Sequence, residues 1–208
     1  MRIVVFGAAG RTGRLIVERA LGHGHEVTAV IHETMPDTPD PRLITVFGDV
    51  REFGAVEAAV TGQHAVAFAL SHGADRGSGI LEAGIANVVH AMAAQNVRRL
   101  AAVSAGGAFA RTDKRLSLAF RALIATAMRP VYDDLEAMER RIMASALDWT
   151  IVRPAALSDE PASGQYRVSL DGSLLPKAGR ISRADVASVV VKAIETDTYL
   201  HRAVVIAE

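Results

Sequence analysis

The first 31 residues constrain the fold of this chain more than any other segment. Residues 1–6 form an apolar run, and residues 7–13 read Gly-Ala-Ala-Gly-Arg-Thr-Gly. Residues 15–21 then have helical spacing, and residues 25–31 are a second apolar run. This order predicts a strand, a tight turn, a helix and a second strand, the unit that places a dinucleotide pyrophosphate at a helix N-terminus. The alternative is a plain turn between strand and helix that binds no ligand.

The three glycines of this segment have separate predicted roles. Gly7 allows a sharp turn out of the strand because it lacks a Cβ. Gly10 lets the backbone approach the phosphates closely, and Gly13 lets the helix pack tightly against the sheet. The N–H groups of the first helical turn, around Arg11 and Thr12, then point at the bound anion.

The composition excludes several classes of protein. With 23 basic and 23 acidic side chains, the chain of 208 residues has no net field to attract nucleic acid or an anionic membrane. It contains no cysteine, which excludes disulfides, thiolate zinc sites and a cysteine nucleophile. We find neither a signal-like leader nor an apolar run of about 20 residues. We therefore expect no membrane association and a cytoplasmic location.

Apolar runs and helical patterns alternate along the rest of the chain. The apolar runs are nearly continuous, which indicates strands that are covered on both faces in a parallel sheet. This alternation predicts an α/β fold with a doubly wound, mostly parallel sheet and helices on both faces, formed as a single domain over residues 1–208. The predicted elements are strands at 42–46, 65–70, 99–103, 149–153 and 203–206, and helices at 52–60, 78–95 and 132–144.

Residues 104–130 interrupt the alternation. They turn basic at 111–115, and residues 116–124 are predicted to be helical. The apolar side chains of this helix either line a pocket, contact another subunit or simply pack on the domain.

A second interruption covers residues 154–180. Residues 166–175 are predicted to form a hairpin around Asp171-Gly172, within a small C-terminal cap at about 155–180. Ser182 and Asp185 then have the spacing of a capping box, which predicts the start of the last helix.

Ligands of open parallel sheets bind beyond the carboxyl ends of the strands. The residues that follow each predicted strand are therefore the candidate site residues. Small and polar side chains cluster at these positions, as a ligand crevice requires. With the three glycines already named, the candidates for cofactor binding are Ala9, Arg11, Thr12, His32, Asp49, Val50, Leu70, Ser71, His72, Ser104 and Pro154.

The residues around the predicted ribose site favour NADP over NAD. NAD sites usually place an acidic residue at the end of the second strand, where this chain has His32. Arg11 has the reach to pair with a 2′-phosphate, and a protonated His32 adds to that attraction. The alternative is NAD, with Glu33 on the ribose and Arg11 in solvent. Asp49 either accepts a hydrogen bond from the adenine amine or belongs to an ordinary turn.

Six segments also match a known family in order and over almost the whole chain: 7–13, 22–28, 48–50, 98–104, 147–154 and 181–187. In these segments the chain resembles the atypical short-chain dehydrogenase/reductase proteins. It is most similar to the single-domain NAD(P)H-binding branch with the flavin reductase/biliverdin reductase and NmrA-like proteins. The resemblance implies a Rossmann fold that holds NADP, with Arg11 near the 2′-phosphate and Ser104 and Pro154 near the nicotinamide.

The chain departs from the pattern of this family at three positions. Ala9 replaces the usual threonine, and His32 replaces an arginine that is frequent in NADP-binding members. Typical short-chain dehydrogenases use a Tyr-x-x-x-Lys pair, in which the lysine lowers the pKa of the tyrosine. The candidate here is Tyr132 with Glu136, and a glutamate raises the pKa of a nearby tyrosine. Tyr132 and Ser104 are the candidate catalytic residues, although the pattern favours a packing role for Tyr132.

The missing lysine argues against alcohol oxidation and sugar epimerisation, which need that proton transfer. It is compatible with hydride transfer from NAD(P)H to a flat acceptor such as a flavin, a quinone or a tetrapyrrole, because solvent supplies the proton there. Ser104 is predicted to hydrogen-bond the nicotinamide amide or the acceptor. His72 either donates to the acceptor or to a phosphate, or is solvated.

Two other functions stay open. The first is a non-catalytic NAD(P)-binding redox sensor of the NmrA-like type, with residues 111–124 as a surface for a partner protein. The second is an NAD-dependent epimerase or dehydratase. The predicted partners are a dinucleotide and a small planar acceptor, in a monomer or a small homo-oligomer. No metal site is predicted, because the other histidines lack metal-ligand spacing: His23, His25, His64, His90 and His201.

Overall fold

A computed structural model describes residues 1–32, 34–35, 39–72, 79–108, 122–123 and 125–208. In these ranges the strands are β1 (Arg2–Phe6), β2 (Glu26–Ile31), β3 (Leu43–Phe47), β4 (Ala65–Phe68), β5 (Arg99–Val103), β6 (Asp148–Pro154), β7 (Ala156–Ser158), β8 (Arg167–Ser169), β9 (Arg180–Ser182) and β10 (Arg202–Ala207). The helices are α1 (Arg11–Gly22), α2 (Phe53–Val60), α3 (Ile80–Ala94), α4 (Arg129–Met143) and α5 (Arg183–Glu195).

The main sheet confirms the predicted doubly wound topology. Its strand order is β3-β2-β1-β4-β5-β6-β10-β8, and every neighbouring pair is parallel except β10 with β8. The chain order reverses between β1 and β4, where Phe6 pairs with Phe68. Such a reversal opens a crevice at the carboxyl ends of the strands. The residues that follow β1 and β4 are therefore candidates for a ligand site.

Helices cover both faces of the sheet, as the continuous apolar strands indicated. Ile3 and Val5 point to the face that α1 and α5 cover. Val4 and Phe6 point to the opposite face, under α2, α3 and α4. All four side chains are almost completely buried, because alternate residues of a strand point to opposite faces and each face has its own helical layer.

The edge strand β3 is an exception to this coverage. Ile44 is 62% exposed and Phe47 is 73% exposed. The expectation that the apolar runs are covered on both faces is therefore wrong for β3, which pairs on one side only, with β2.

The predicted hairpin at 166–175 is also wrong. Only Arg167–Ser169 forms a strand there, and it pairs antiparallel with β10, where Val168 lies opposite Ile206. Asp171 accepts the backbone N–H of Ser173 at 3.0 Å and the hydroxyl of Ser169 at 2.6 Å. This side-chain turn replaces the two-residue hairpin turn, and the open edge of β10 supplies the partner for β8. The rest of the predicted cap contributes β7 and β9, which form a separate parallel pair.

The capping residue of the last helix is confirmed. Ser182 Oγ accepts the Asp185 backbone N–H at 2.9 Å and donates to the Asp185 carboxylate at 2.7 Å. The same carboxylate accepts the backbone N–H groups of Ser163 and Gly164, each at 2.9 Å. Burial raises the pKa of Asp185, but these hydrogen bonds outweigh it and the pKa is lowered. The start of α5 thereby fixes the segment that leads into β8.

The predicted helix at 116–124 and the basic segment 111–115 lie outside the described residues, apart from Ala122 and Leu123. Glu33, the alternative ribose ligand, also lies outside them. Among the described residues, no helix combines the length and apolar character that crossing a membrane requires.

Candidate functional site

The glycine-rich turn between β1 and α1 depends on the missing side chain of Gly7. This residue has φ +79°, and a Cβ there would lie 2.7 Å from the carbonyl oxygen of Ala69 in the loop after β4. Only glycine meets both conditions without strain. Two neighbouring strand ends can therefore approach each other at the switch point of the sheet.

The first turn of α1 packs directly on this turn. A Cβ on Gly13 would lie 2.1 Å from the Gly7 carbonyl oxygen, so the helix could not come this close with any larger residue. Gly10 occupies the N-cap position, and no side chain caps the helix. The N–H groups of Arg11, Thr12 and Gly13 consequently have no partner from a capping side chain, which suits an anion such as a pyrophosphate.

The turn borders a cleft of about 390 Å³, a volume that suits a small-molecule ligand. The cleft lies at the carboxyl ends of β1, β2, β3 and β4. Its lining includes nine of the predicted cofactor residues: Gly7, Ala9, Gly10, His32, Asp49, Val50, Leu70, Ser71 and His72. It also includes residues that were not predicted: Phe6, Val30, Ile31, Gly48, Arg51, Ala69 and Ile80.

Five predicted cofactor residues are not in the lining of this cleft. Arg11, Thr12 and Gly13 form the helical turn beside it. Ser104 and Pro154 follow or end β5 and β6, further along the same edge of the sheet. The structure thus places all of the predicted residues at the carboxyl edge, but it does not bring all of them into one cavity.

The end of the cleft beneath β2 and β3 carries a charged pair that sequence reasoning missed. The Arg51 side chain binds the Asp49 carboxylate through Nη2 at 2.5 Å and Nε at 3.0 Å, and the Arg51 backbone N–H adds a bond at 2.9 Å. These hydrogen bonds lower the pKa of Asp49 to about 2. His32 Nε2 lies 4.0 Å from the same carboxylate. Arg51 directly follows the predicted Asp49-Val50 pair, so the signal was present in the sequence.

Arg11 does not face the cleft. Its guanidinium lies 3.1 Å from the Asp159 carboxylate, and both side chains are about two-thirds exposed. Asp159 also pairs with Arg183, at the start of α5, at 2.6 Å. The predicted contact of Arg11 with a 2′-phosphate would therefore require this side chain to leave Asp159.

His72 is largely buried beside a carboxylate. Its Nε2 lies 3.0 Å from the Asp134 carboxylate, outside hydrogen-bond geometry, and the two side chains are 9% and 3% exposed. Asp134, on α4, accepts the backbone N–H groups of Leu81 and Glu82 at the start of α3. His72 thus lines the cleft while one ring nitrogen faces a carboxylate that is fixed by another helix.

The hydroxyl of Ser104 has a hydrogen-bond partner. It donates to Glu139, a completely buried residue of α4. Arg153, at the end of β6, donates to both oxygens of the same carboxylate. Ser104 can therefore accept a hydrogen bond from a ligand, but its proton is already used. Glu139 was missed, although it stands on the apolar stripe of α4, four residues after Leu135, where a buried carboxylate needs a charged partner.

Tyr132 packs in the core at the start of α4. It is 8% exposed, and a Cβ on Gly107 would lie 2.8 Å from its ring. Burial raises the pKa of Tyr132. The cause differs from the expected one, because Glu136 pairs with Arg140 at 3.0 Å and is not what shifts the tyrosine.

The structure also brings together two histidines whose sequence spacing indicated no metal site. His23 and His25 both contact Glu195, at the opposite edge of the sheet. Spacing along the chain could not reveal this group, because the third member is 170 residues from His25.

The family model for NAD(P)H-binding proteins matches residues 7–197 of the chain. This protein belongs to the NAD(P)H-binding family. A chloroplast protein of Arabidopsis thaliana, itself uncharacterised, is 31% identical over 213 residues, which cover 93% of this chain and 71% of the relative. The chain covers only 12% of longer mycobacterial relatives, which are 38% identical over 107 residues. A Bacillus subtilis relative described as an uncharacterised sugar epimerase is 25% identical over 98% of this chain and 92% of its own length.

Solved structures of the same fold superimpose on the whole chain. A short-chain dehydrogenase/reductase of Veillonella parvula in complex with NADP superimposes with a TM-score of 0.84 at 19% identity, covering 100% of this chain and 94% of that one. A candidate NADH-flavin reductase of Streptococcus pneumoniae superimposes with a TM-score of 0.81 at 21% identity, covering 100% and 99%. These likenesses establish the fold, and the family model is the finding that indicates NAD(P)H binding. The cytoplasmic location and the oligomeric state stay predictions.

Proposed function

We propose that this member of the NAD(P)H-binding family is an NADPH-dependent reductase of a flat acceptor such as a flavin, a quinone or a tetrapyrrole. The observation that carries the proposal is the uncapped start of α1, held against a cleft by Gly7 and Gly13. A pyrophosphate fits there because the backbone supplies N–H donors and the helix dipole favours negative charge. Any Cβ at Gly13 would fill the space between turn and helix.

The charges at the β2–β3 end of the cleft support NADPH as the preferred cofactor. His32 and Arg51 are 73% and 56% exposed in their side chains, and both lie near the Asp49 carboxylate. A 2′-phosphate at this end would meet an imidazole and the Arg51 guanidinium, which would exchange part of its pairing with Asp49 for the phosphate. We therefore assign to Arg51 the role that the sequence assigned to Arg11. Asp49 and Val50 would then border the adenine.

The groups near the nicotinamide end support an acceptor that needs no protein acid. Tyr132 is buried with a raised pKa, and the proton of Ser104 is donated to Glu139. Neither group is prepared to protonate an alkoxide. When bound, NADPH supplies a hydride to the acceptor, and solvent supplies the proton that completes the reduction. The protein would bind and orient the two reactants, with Ser104 Oγ as an acceptor for an amide N–H and Leu70 and Ser71 along the cleft wall.

The direct test is oxidation of NADPH, followed by absorbance, with FMN, riboflavin, a soluble quinone and biliverdin as acceptors and with NADH in parallel. Turnover with one of these acceptors is the expected result. Saturating NADPH without turnover on any acceptor would contradict the reductase and favour the non-catalytic sensor. Conversion of a nucleotide sugar in a separate assay, without net oxidation of the dinucleotide, would favour the epimerase.

The cofactor preference is tested separately by titrating nicotinamide fluorescence with the Arg51→Ala and Arg11→Ala variants. We expect Arg51→Ala to weaken NADPH binding at least about tenfold, or about 1.4 kcal/mol, and to change NADH binding little. Arg11→Ala is the matched control, because Arg11 pairs with Asp159 and does not line the cleft, whereas Arg51 does. An NADPH-specific loss in Arg11→Ala alone would return the 2′-phosphate to Arg11, and equal affinity of the wild type for both cofactors would contradict the preference.

A further inference from the structure

The group of His23, His25 and Glu195 lies at the amino edge of the sheet, at the opposite end of α1 from the cleft. Helix α1 ends in a Schellman motif: the Gly24 N–H donates to the Leu21 carbonyl at 2.9 Å, and the His25 N–H donates to the Ala20 carbonyl at 3.0 Å. Gly24 has φ +82°, the left-handed conformation that this motif requires. The sharp reversal turns both imidazoles toward the same neighbour.

That neighbour is the last residue of α5. Glu195 Oε1 lies 2.8 Å from His23 Nδ1 and 2.8 Å from His25 Nε2. One atom from each of the three residues can be chosen so that all lie within 4.8 Å of one another. Ligands of a tetrahedral zinc ion stand about 3.3 Å apart, since each bond is about 2.0–2.1 Å long. Separations of up to 4.8 Å would have to shorten by up to about 1.5 Å for the three side chains to share one ion.

The surroundings favour a cation at this place. The C-terminal ends of α1 and α5 meet here, and both direct the negative ends of their dipoles at the group. Two nearby cationic side chains are engaged elsewhere: Arg42 binds Asp40 at 2.7 Å, and Lys192 lies over the Tyr199 ring.

The accessibility of the three side chains leaves room for an ion to enter. His25 is 10% exposed in its side chain, Glu195 26% and His23 37%. His25 Nδ1 lies 3.3 Å from the Met1 nitrogen, and its other ring nitrogen, Nε2, faces Glu195.

We propose that His23, His25 and Glu195 bind one divalent first-row transition metal ion, with zinc as the best match. Two imidazoles and one carboxylate form a ligand set that suits zinc and leaves a fourth position for water. Imidazole ligands disfavour magnesium and calcium. The ion would join the end of α1 to the end of α5, on the edge of the sheet remote from the cleft, so the proposal does not depend on the proposed function.

The test uses the untagged protein in equilibrium dialysis against micromolar zinc, with bound metal counted per chain. We expect one zinc ion per chain, no competition by excess magnesium, and visible absorption of tetrahedral cobalt when cobalt replaces zinc. His23→Gln and Glu195→Gln should each lower zinc affinity at least about tenfold. His23 is exposed, so its variant should fold, which circular dichroism verifies.

His90→Gln is the matched control, because His90 is an exposed histidine on α3 that contacts Phe53 instead. It should bind zinc like the wild type. Less than one ion per two wild-type chains would overturn the proposal, and so would equal zinc affinity in all four proteins. Retention of the cobalt spectrum in Glu195→Gln would likewise exclude Glu195 as a ligand.

Discussion

The two ends of α1, at opposite edges of the sheet, differ in how their backbone groups are satisfied. At the carboxyl edge, α1 begins after Gly10 with no capping side chain, beside a cleft. At the amino edge, the same helix ends in a Schellman motif that satisfies its last carbonyls, and the histidines that follow bind Glu195. The last carbonyl groups of α1 accept hydrogen bonds from the following backbone, whereas its first N–H groups have no capping side chain. An open helix start suits an anion, and a closed helix end with a carboxylate suits a cation.

The largest effect is expected from breaking the buried ion pair at the carboxyl edge. Glu139→Ala removes the buried carboxylate that Arg153 and Ser104 both contact, which should lower the free energy of unfolding by about 3–5 kcal/mol in a urea titration. The matched control is Glu136→Ala on the same helix, whose partner Arg140 is 69% exposed. That variant should lose less than about 1 kcal/mol. Equal losses would mean that Glu139 contributes no more than a surface pair.

Alanine substitutions at the glycines near each end of α1 compare the two ends directly. Gly13→Ala places a Cβ 2.1 Å from the Gly7 carbonyl oxygen and should cost about 1–3 kcal/mol, with a clear loss of dinucleotide affinity. Gly22→Ala meets no atom within 4 Å and should be neutral or stabilising by up to about 1 kcal/mol. Urea titration and nicotinamide fluorescence measure both effects. Unchanged affinity in Gly13→Ala would separate the start of α1 from the cofactor.

A third comparison concerns the turn at the amino edge. Gly24→Ala forces an alanine into φ +82° and should lower the free energy of unfolding by about 1–2 kcal/mol without changing NADPH affinity. Gly54→Ala in α2 is the control, since nothing lies within 4 Å of its added Cβ and its φ is not positive. A change in NADPH affinity for Gly24→Ala alone would show that the two edges are coupled.

The smallest effect is the pH dependence from Asp49. Its folded pKa of about 2 lies below the unfolded value of about 3.9, so its contribution is complete above pH 4 and is lost as the pH falls toward 2. Because Arg51 is 56% exposed, solvent screens the pair and the contribution should stay below about 1 kcal/mol. In Asp49→Asn, the free energy of unfolding should depend less steeply on pH between pH 4 and 2. The same pH dependence in this variant and the wild type would contradict the assignment.

Local patterns predicted the fold well, because they report short-range preferences. The order of strands and helices followed from apolar runs and helical spacing, and Ser182 was recognised as a cap. The predicted hairpin at 166–175 is wrong because the free edge of β10, whose paired residues lie 36 to 40 positions later, competes for the strand. The exposure of Phe47 was missed for a similar reason, since the pattern of a strand does not reveal whether it lies at the edge of the sheet.

The sequence by itself determined the doubly wound sheet, the glycine turn and the family, because each rests on residues that are close along the chain. Only the tertiary structure decided the partners of the charged groups. Arg11 binds Asp159, Ser104 donates to Glu139, and His72 faces Asp134, each across a long separation in sequence. The physical reason is that a charged group pairs with an opposite charge that lies near it in the folded protein. Which charge that is depends on how the helices and the sheet pack together.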